Sequence, residues 1–440
     1  MVMTGDTSSG SERNCLPDPR LQACVSDEGG IGGRFRVHND EFVVEEMELF
    51  PPSGQGEHLY LRIEKEGISH RDMISRLIKA YQLPEAAIGY AGMKDRRAIT
   101  EQTVSVHTDR TDVPAFSEPG LKVLWAERHD HKLRRGQLVG NRFSIRIREV
   151  DPLDGPRAWK TLDKLATSGL PNAYMSQRFG YRLNNHRLGA AWLSGKWTDL
   201  LDEWLGSSGS PYPPSEASVR SDYDAGRYQQ AVAASSREWW AERAALEALA
   251  GGASPARACS AVPSVIRSLW IDAAQASIFN RLLAQRMTDG TMDRLLDDDI
   301  AWDHGRGRWF RTPAENLHST DMLNAIRDID VSPTGPLPGR RMPSPGASVD
   351  AMERQAAQNA GIDWDQMVEG GGGRRGGRRP LRVPIQNHAL DAGVDERGNY
   401  IRIDFELPKG AYATGVLAEI MGADAIEERG WLNSVEQAGS

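Results

Sequence analysis

The sequence predicts an α/β (α+β) protein, one sheet-bearing domain interrupted by a mostly helical insertion. Three observations carry this. Short β-rich runs lie before about residue 150 and return after residue 380, whereas helical spacing dominates between them. The second block of strands is reached through GGGGRRGGRR, residues 370–379, a low-complexity run that cannot pack a core of its own. The expected division is a mobile tail over 1–30, a first part of the core over 31–190, an insertion over 191–375 and a second part of the core over 376–440.

Order is expected to start at Gly32-Gly33-Arg34-Phe35-Arg36. Phe42-Val43-Val44 and Leu59 to Ile63, separated by Pro51-Pro52-Ser53-Gly54, read as strand, loop, strand. Ser69 can cap a helix whose apolar face is Met73, Ile74, Leu77, Ile78 and Tyr81, ending before Pro84. Ile88-Gly89-Tyr90-Ala91-Gly92 leads into Met93-Lys94-Asp95-Arg96-Arg97, and Thr103 to Val106 resumes strand character, so Asp95 falls in a loop between extended segments. Phe143 to Arg148 alternates, which puts Ser144, Arg146 and Arg148 on the face opposite Phe143, Ile145 and Ile147. Helices follow over 188–204, 228–249, 268–287 and 349–360. Strands return at 381–383 and 400–405, with a last helix over 414–421.

The chain has 440 residues, 39% apolar and 26% charged, which is ordinary for a globular protein with a sizeable core. No apolar run approaches the ~20 residues of a membrane span, and the first thirty residues do not read as a secretory signal. A cytoplasmic location is expected, or a nuclear one in a eukaryote. Cys15, Cys24 and Cys259 are too few and too scattered for a disulfide framework or a metal knuckle. His129-Asp130-His131 has no evident third and fourth ligand and sits among cations, so no metal is expected. Phosphate-loop, dinucleotide and serine-esterase signatures do not occur.

The net charge of −8 hides an uneven distribution. Residues 128–148 hold seven Lys or Arg and one acid, residues 373–382 hold five arginines, and residues 289–303 hold six aspartates. One basic face toward a polyanion would give this pattern, and so would solvated surfaces. The basic candidates are Lys132, Arg134, Arg135, Arg374, Arg375, Arg378 and Arg379. The chemical candidate is Asp95, flanked by Lys94, Arg96 and Arg97. Cations beside a carboxylate favour its ionised form, which suits a nucleophile or a general base.

Three segments extend this reading: Gly92 to Arg97 with Ala98-Ile99-Thr100-Glu101-Gln102 behind it, Pro171 to Gly180, and Phe405 to Thr414. Together with Arg36, Asp40 to Glu45, Gly56 to Leu59, Gly140 to Phe143, Ser277 to Asn280 and Gly335 to Gly339, in that order along the chain, they resemble the TruD family of pseudouridine synthases. The resemblance covers roughly residues 33–425. It implies a pseudouridine synthase core of mixed, largely antiparallel sheet with helices, interrupted by a TruD-specific insertion that forms a cleft. It also implies cofactor-free isomerisation of uridine to pseudouridine in tRNA, commonly at uridine 13; apart from the resemblance, no metal and no membrane partner is expected, and a monomer is.

Residue by residue, the resemblance makes Asp95 the catalytic aspartate and Arg36 its cationic partner, where bacterial members carry lysine. Phe42, Asn172, Tyr174, Tyr412 and Lys94 fall at substrate-contacting positions. Ala173, Met175 and Asn39 depart from the family pattern. The length of 205–262 leans toward the archaeal or eukaryotic type. The alternatives are an RNA-binding or RNA-folding protein without catalysis, a base-removing glycosylase, and a synthase acting on other RNAs with a short uridine-rich consensus.

Overall fold

The computed structural model describes residues 18–21, 24–113, 119–370 and 373–426. Fourteen strands occur among these residues: β1 Phe42–Glu48, β2 His58–Glu66, β3 Ile88–Tyr90, β4 Ile99–His107, β5 Leu121–His129, β6 Leu138–Arg148, β7 Leu170–Pro171, β8 Ile300–Asp303, β9 Arg308–Arg311, β10 Val331–Leu337, β11 Gly377–Pro380, β12 Arg382–Val383, β13 Gln386–Asp395 and β14 Gly398–Pro408. The main sheet runs β13-β14-β6-β1-β4-β2-β5, with β3 on β4. Its pairs are antiparallel except β1 with β4, where Val43 lies opposite Ile99. This is the expected mixed, largely antiparallel sheet.

Alternation along the central strands decides which face is covered. Phe42, Val44, Phe143, Ile145, Ile403 and Phe405 form one buried face, and helices Gly155–Ser168 and Ala413–Met421 close over it with Leu162, Leu165, Val416 and Leu417. At the other end of the sheet, helix His70–Tyr81 packs Met73, Leu77 and Tyr81 against Leu59, Leu61, Ile63 and Val104. Its start follows from Ser69 and Asp72, which form a reciprocal capping box, and it stops where Gln82 turns left-handed ahead of Pro84.

The stretch after residue 185 is helical, as expected, but in shorter pieces. The expected helix over 188–204 is two, Asn185–Leu193 and Trp197–Leu205, because Gly195 takes a positive φ of 67° between them. The one over 228–249 is likewise broken at Ser235 and Ser236. Helix Ser264–Thr288 is instead longer than expected, 25 residues, and nearly all of its middle is buried because neighbours cover it on two sides. A second sheet, β11-β10-β8-β9, follows, which the expected mostly helical insertion did not include. The short β7–β12 pair joins Pro171 to Arg382.

Two further expectations need correction. Of the expected mobile tail, residues 1–17, 22 and 23 lie outside the described residues, but the rest is held in place. The Val25 amide donates to Glu419 at 2.9 Å, the Pro19 carbonyl accepts from Asn280 at 2.9 Å, and Leu21 and Val25 pack, partly buried, against the core. The polar composition around them masked these two apolar anchors. In the Gly/Arg run, Gly371 and Gly372 lie outside the described residues, whereas Gly377–Pro380 is strand β11, paired with Thr334 to Leu337. Residues 427–440 also lie outside the described residues.

Candidate active site

Candidate residues sit on three loops, those before β1 and β4 and the one after β14. The first begins at Gly33, whose positive φ of 89° leaves no room for a side chain, since a Cβ there would lie 2.7 Å from the Arg148 carbonyl. Arg34 and Arg148 then exchange backbone hydrogen bonds of 2.8 and 2.7 Å, and Arg36 follows with a left-handed φ of 57°. A non-glycine residue in that region is held there by its surroundings, and such strain gathers at functional sites. The Arg36 guanidinium lies 4.3 Å above the Phe42 ring centroid and pairs with the Asp95 carboxylate. Arg36 is 12% exposed at its side chain and Asp95 49%, so the carboxylate presents an open side to solvent.

The Asp95 loop joins β3 to β4 and is pinned on both sides of Met93. Lys94 pairs with Glu46 at 2.9 Å and also donates to the Asn141 side chain. The Lys65 ammonium, wholly buried, donates to the Asp95 carbonyl and to the Ile68 carbonyl at 3.1 Å. Burial pushes the Lys65 ammonium down to about 8.

A relay of contacts leads from this loop to the second group of site residues. The Gly136 amide donates to the Ala91 carbonyl at 2.8 Å, and Lys409 donates to the Gly136 carbonyl at 2.9 Å. Next along the chain, the Gly410 carbonyl accepts from Arg379 at 3.0 Å. Arg379 also donates to the Asn172 backbone and side-chain oxygens, and its guanidinium lies 4.4 Å from the Tyr174 ring centroid. Tyr174 meets Phe279 and Tyr412 edge-on at 5.7 and 6.4 Å. Asn280 clamps both the amide and the carbonyl of Tyr174, at 2.9 and 2.8 Å. Arg96, Arg97, Arg134, Arg135 and Lys409 are exposed in the loops before β4, before β6 and after β14. A carboxylate paired with a guanidinium, clustered aromatic rings and exposed basic side chains are the groups by which a nucleotide base and its phosphates could be held.

The comparisons decide the family. The model of tRNA pseudouridine synthase D (TruD) matches residues 20–420. The chain belongs to the TruD family. Among relatives, tRNA pseudouridine synthase D of Geobacter sulfurreducens is 36% identical over 395 residues, 89% of this chain and 94% of the relative. That of Thermus thermophilus is 32% identical over 413 residues, 93% of this chain and 94% of the relative. A crystal structure described as that of a TruD protein from Methanosarcina mazei superposes with a TM-score of 0.79 over 94% of this chain and 99% of that one. At 23% identity that likeness concerns the fold.

As a TruD protein the chain is an enzyme, an isomerase of the pseudouridine synthase type. Bacterial relatives match across about nine-tenths of both lengths, so length does not set the chain apart from bacterial TruD proteins. No group of three or more metal-ligating side chains occurs among the described residues, and no described helix is long and apolar enough to cross a membrane. His129 accepts from the Ser53 amide at 3.1 Å and packs between Phe50 and Tyr60.

Several expected site residues do other work in this TruD fold. Lys94 is buried on Glu46 and Asn141, with its ammonium held by these two side chains. Phe42 is buried in the core and supports Arg36 from below. Asn172 is 4% exposed, with its amide nitrogen on the Pro380 carbonyl at 3.0 Å and its oxygen on Arg379, so it orients Arg379. Arg378 is not an RNA contact: its side chain is 0% exposed and bonds Glu353 at 2.6 Å, an ion pair that ties β11 to helix Ala347–Asn359. Arg374 is half-buried on Asp272 at 2.8 Å, and Arg375 alone of the four is exposed. Lys132 spends its ammonium on the Ala86 carbonyl, while Arg135 reaches the Tyr90 hydroxyl at 2.8 Å. Met175, one of the departures, packs against the core beside Tyr174.

Sequence reasoning missed Lys65, Glu46, Asn141 and Lys409. Lys65 did leave a signal, since it occupies the next inward position after Leu59, Leu61 and Ile63 on β2, where a lysine needs a buried partner. The others act through contacts between strands that no local pattern displays.

Proposed function

We propose that the chain isomerises uridine to pseudouridine in tRNA, at uridine 13 of the D arm, with Asp95 as the reacting carboxylate. One observation carries the reading: the Asp95 carboxylate is half-exposed yet anchored, by Arg36 at its side chain and by Lys65 at its backbone. The isomerisation breaks the N1–C1′ bond and rejoins the base through C5. Positive charge develops at C1′ as the bond opens, and a carboxylate placed there stabilises it, as in glycosidases.

The target base has to leave its stack. Tyr174, Tyr412 and the Arg379 plane form the wall against which a detached uracil is held while it turns. The tRNA substrate is supported by the names of the relatives, and the exposed Arg96, Arg97, Arg134, Arg135, Arg375 and Lys409 supply the phosphate contacts that dominate RNA affinity. Core segments 31–190 and 376–440 and the insertion 191–375 would close on the RNA from two sides, the insertion reaching the site through Phe279 and Asn280 of helix Ser264–Thr288. A tRNA substrate supports a cytoplasmic setting.

The test is mapping of pseudouridine in unmodified tRNA and in uridine-rich RNA incubated with the protein. Conversion at position 13 of tRNA is expected. Conversion confined to other RNAs, or release of free uracil, would overturn the assignment.

A further inference from the structure

The Lys65 ammonium is an expensive feature with no stated purpose. A primary ammonium taken wholly out of water costs several kcal/mol unless it is paired. Here its acceptors are two backbone carbonyls, those of Ile68 in the turn after β2 and of Asp95 itself. The fold therefore places a buried cation directly beneath the residue that carries the reaction, in a segment between β3 and β4 with no regular secondary structure to stiffen it.

Arg36 holds the carboxylate through a long side chain, and such a side chain has rotamer freedom to follow a loop that moves. An anchor on the Asp95 backbone removes that freedom. Misplacement of a reacting group by about 1 Å can cost on the order of 100-fold in rate, so an anchor of this kind has kinetic value beyond stability.

We propose that Lys65 is a positioning residue for the isomerisation: its charged ammonium fixes the Asp95 backbone, and the charge itself is needed for turnover. The inference rests on Asp95 being the reacting carboxylate. Three charged or titratable groups act on the ammonium: the Asp95 carboxylate, which favours its charge, the Lys94 ammonium, which opposes it, and His70 at the start of helix His70–Tyr81. The neighbouring strands β4 and β5 face it with Thr100 and Leu121, which do not titrate. Burial is the largest influence and pushes the ammonium down to about 8, within reach of an ordinary pH profile.

The experiment is single-turnover release of tritium from tRNA carrying 5-tritiated uridine, at saturating enzyme, from about pH 6.5 to about pH 9.5. Wild type, Lys65→Arg and Lys65→Met are compared, with a thermal melt at each pH and Asp95→Asn as the blank. The wild-type rate is expected to fall about tenfold per unit above about pH 8 as the ammonium loses its proton. Lys65→Arg keeps its charge throughout and should lose that limb. Lys65→Met should be slower by on the order of 100-fold near neutrality, with tRNA affinity within about threefold, and should also lack the limb. Deprotonation of uracil is common to all three proteins, so a difference between profiles belongs to position 65.

If the arginine variant fails to fold, the methionine variant carries the comparison alone, since methionine has no proton to lose. A wild-type profile flat to about pH 9.5, or the same alkaline limb in a folded Lys65 variant, would overturn the inference. An active Asp95→Asn protein would instead overturn the assignment of Asp95.

Discussion

Arg36 and Asp95, 59 residues apart in the chain, form an ion pair in which the arginine backbone is left-handed and its guanidinium rests on Phe42. The fold thus commits a conformation that non-glycine residues avoid, and the burial of a large aromatic ring, to aiming one cation at one carboxylate. Arg36→Ala should lower the single-turnover rate by on the order of 100-fold, and Arg36→Lys by less than about tenfold, because an ammonium can still pair with the carboxylate. Equal losses in the two variants would show that the planar guanidinium on the Phe42 ring, rather than its charge, sets the geometry.

Tyr174 is covered by Arg379 and bounded by Phe279 and Tyr412. Tyr174→Phe keeps the ring and should lose less than about fivefold in rate, whereas Tyr174→Leu should lose the roughly 1–3 kcal/mol that stacking on one base supplies. Comparable damage by phenylalanine and leucine would make the hydroxyl the working group.

The arginines of the Gly/Arg run separate by burial. Arg378→Ser leaves Glu353 buried without its partner and should destabilise the fold by about 3–5 kcal/mol, read as a lowered melting temperature. Arg375→Ser should leave the melting temperature unchanged and make the slope of log affinity against log salt shallower by about one unit if it meets phosphate. A stable Arg378→Ser protein would contradict the structural role given to that pair.

Acid should loosen the insertion. Burial, aided by the Arg382 charge, pushes His304 down to about 4, and its ring bonds the Ser332 hydroxyl at 3.0 Å. Its folded value lies below the unfolded one, so the unfolded chain binds the extra proton first. The stability from neutral His304 is complete above about 6.5 and falls away as pH drops toward 4, by up to about 3 kcal/mol. His304→Gln should flatten this part of the curve of melting temperature against pH. An unchanged curve would place the acid sensitivity elsewhere.

Strands β1, β2, β4, β6 and β14, the capped helix after Ser69 and the loop position of Asp95 were legible because each rests on a local pattern: alternation, capping or turn chemistry. Arg36 and Asp95 were legible through their flanking motifs, which resemble a family. What escaped was tertiary. Lys94 sits in a run of cations, and nothing local says that Glu46 and Asn141 withdraw it from the surface. The Gly/Arg run reads as one solvated segment, yet strand pairing with β10 alternates its side chains, so Arg378 is buried while Arg379 reaches the site. The helix breaks at Gly195 and at Ser235 leave helical spacing on either side, so spacing alone does not reveal them.

The most direct test of the account is the single-turnover rate of Asp95→Asn, measured beside its tRNA affinity. The substitution keeps the shape of the side chain and removes the charge that Arg36 pairs with. Loss of pseudouridine formation to the background of the assay, with affinity within about tenfold because phosphate contacts supply most of the binding, is the predicted result. Turnover by Asp95→Asn within about tenfold of wild type would contradict the account and move the reacting group elsewhere in the site.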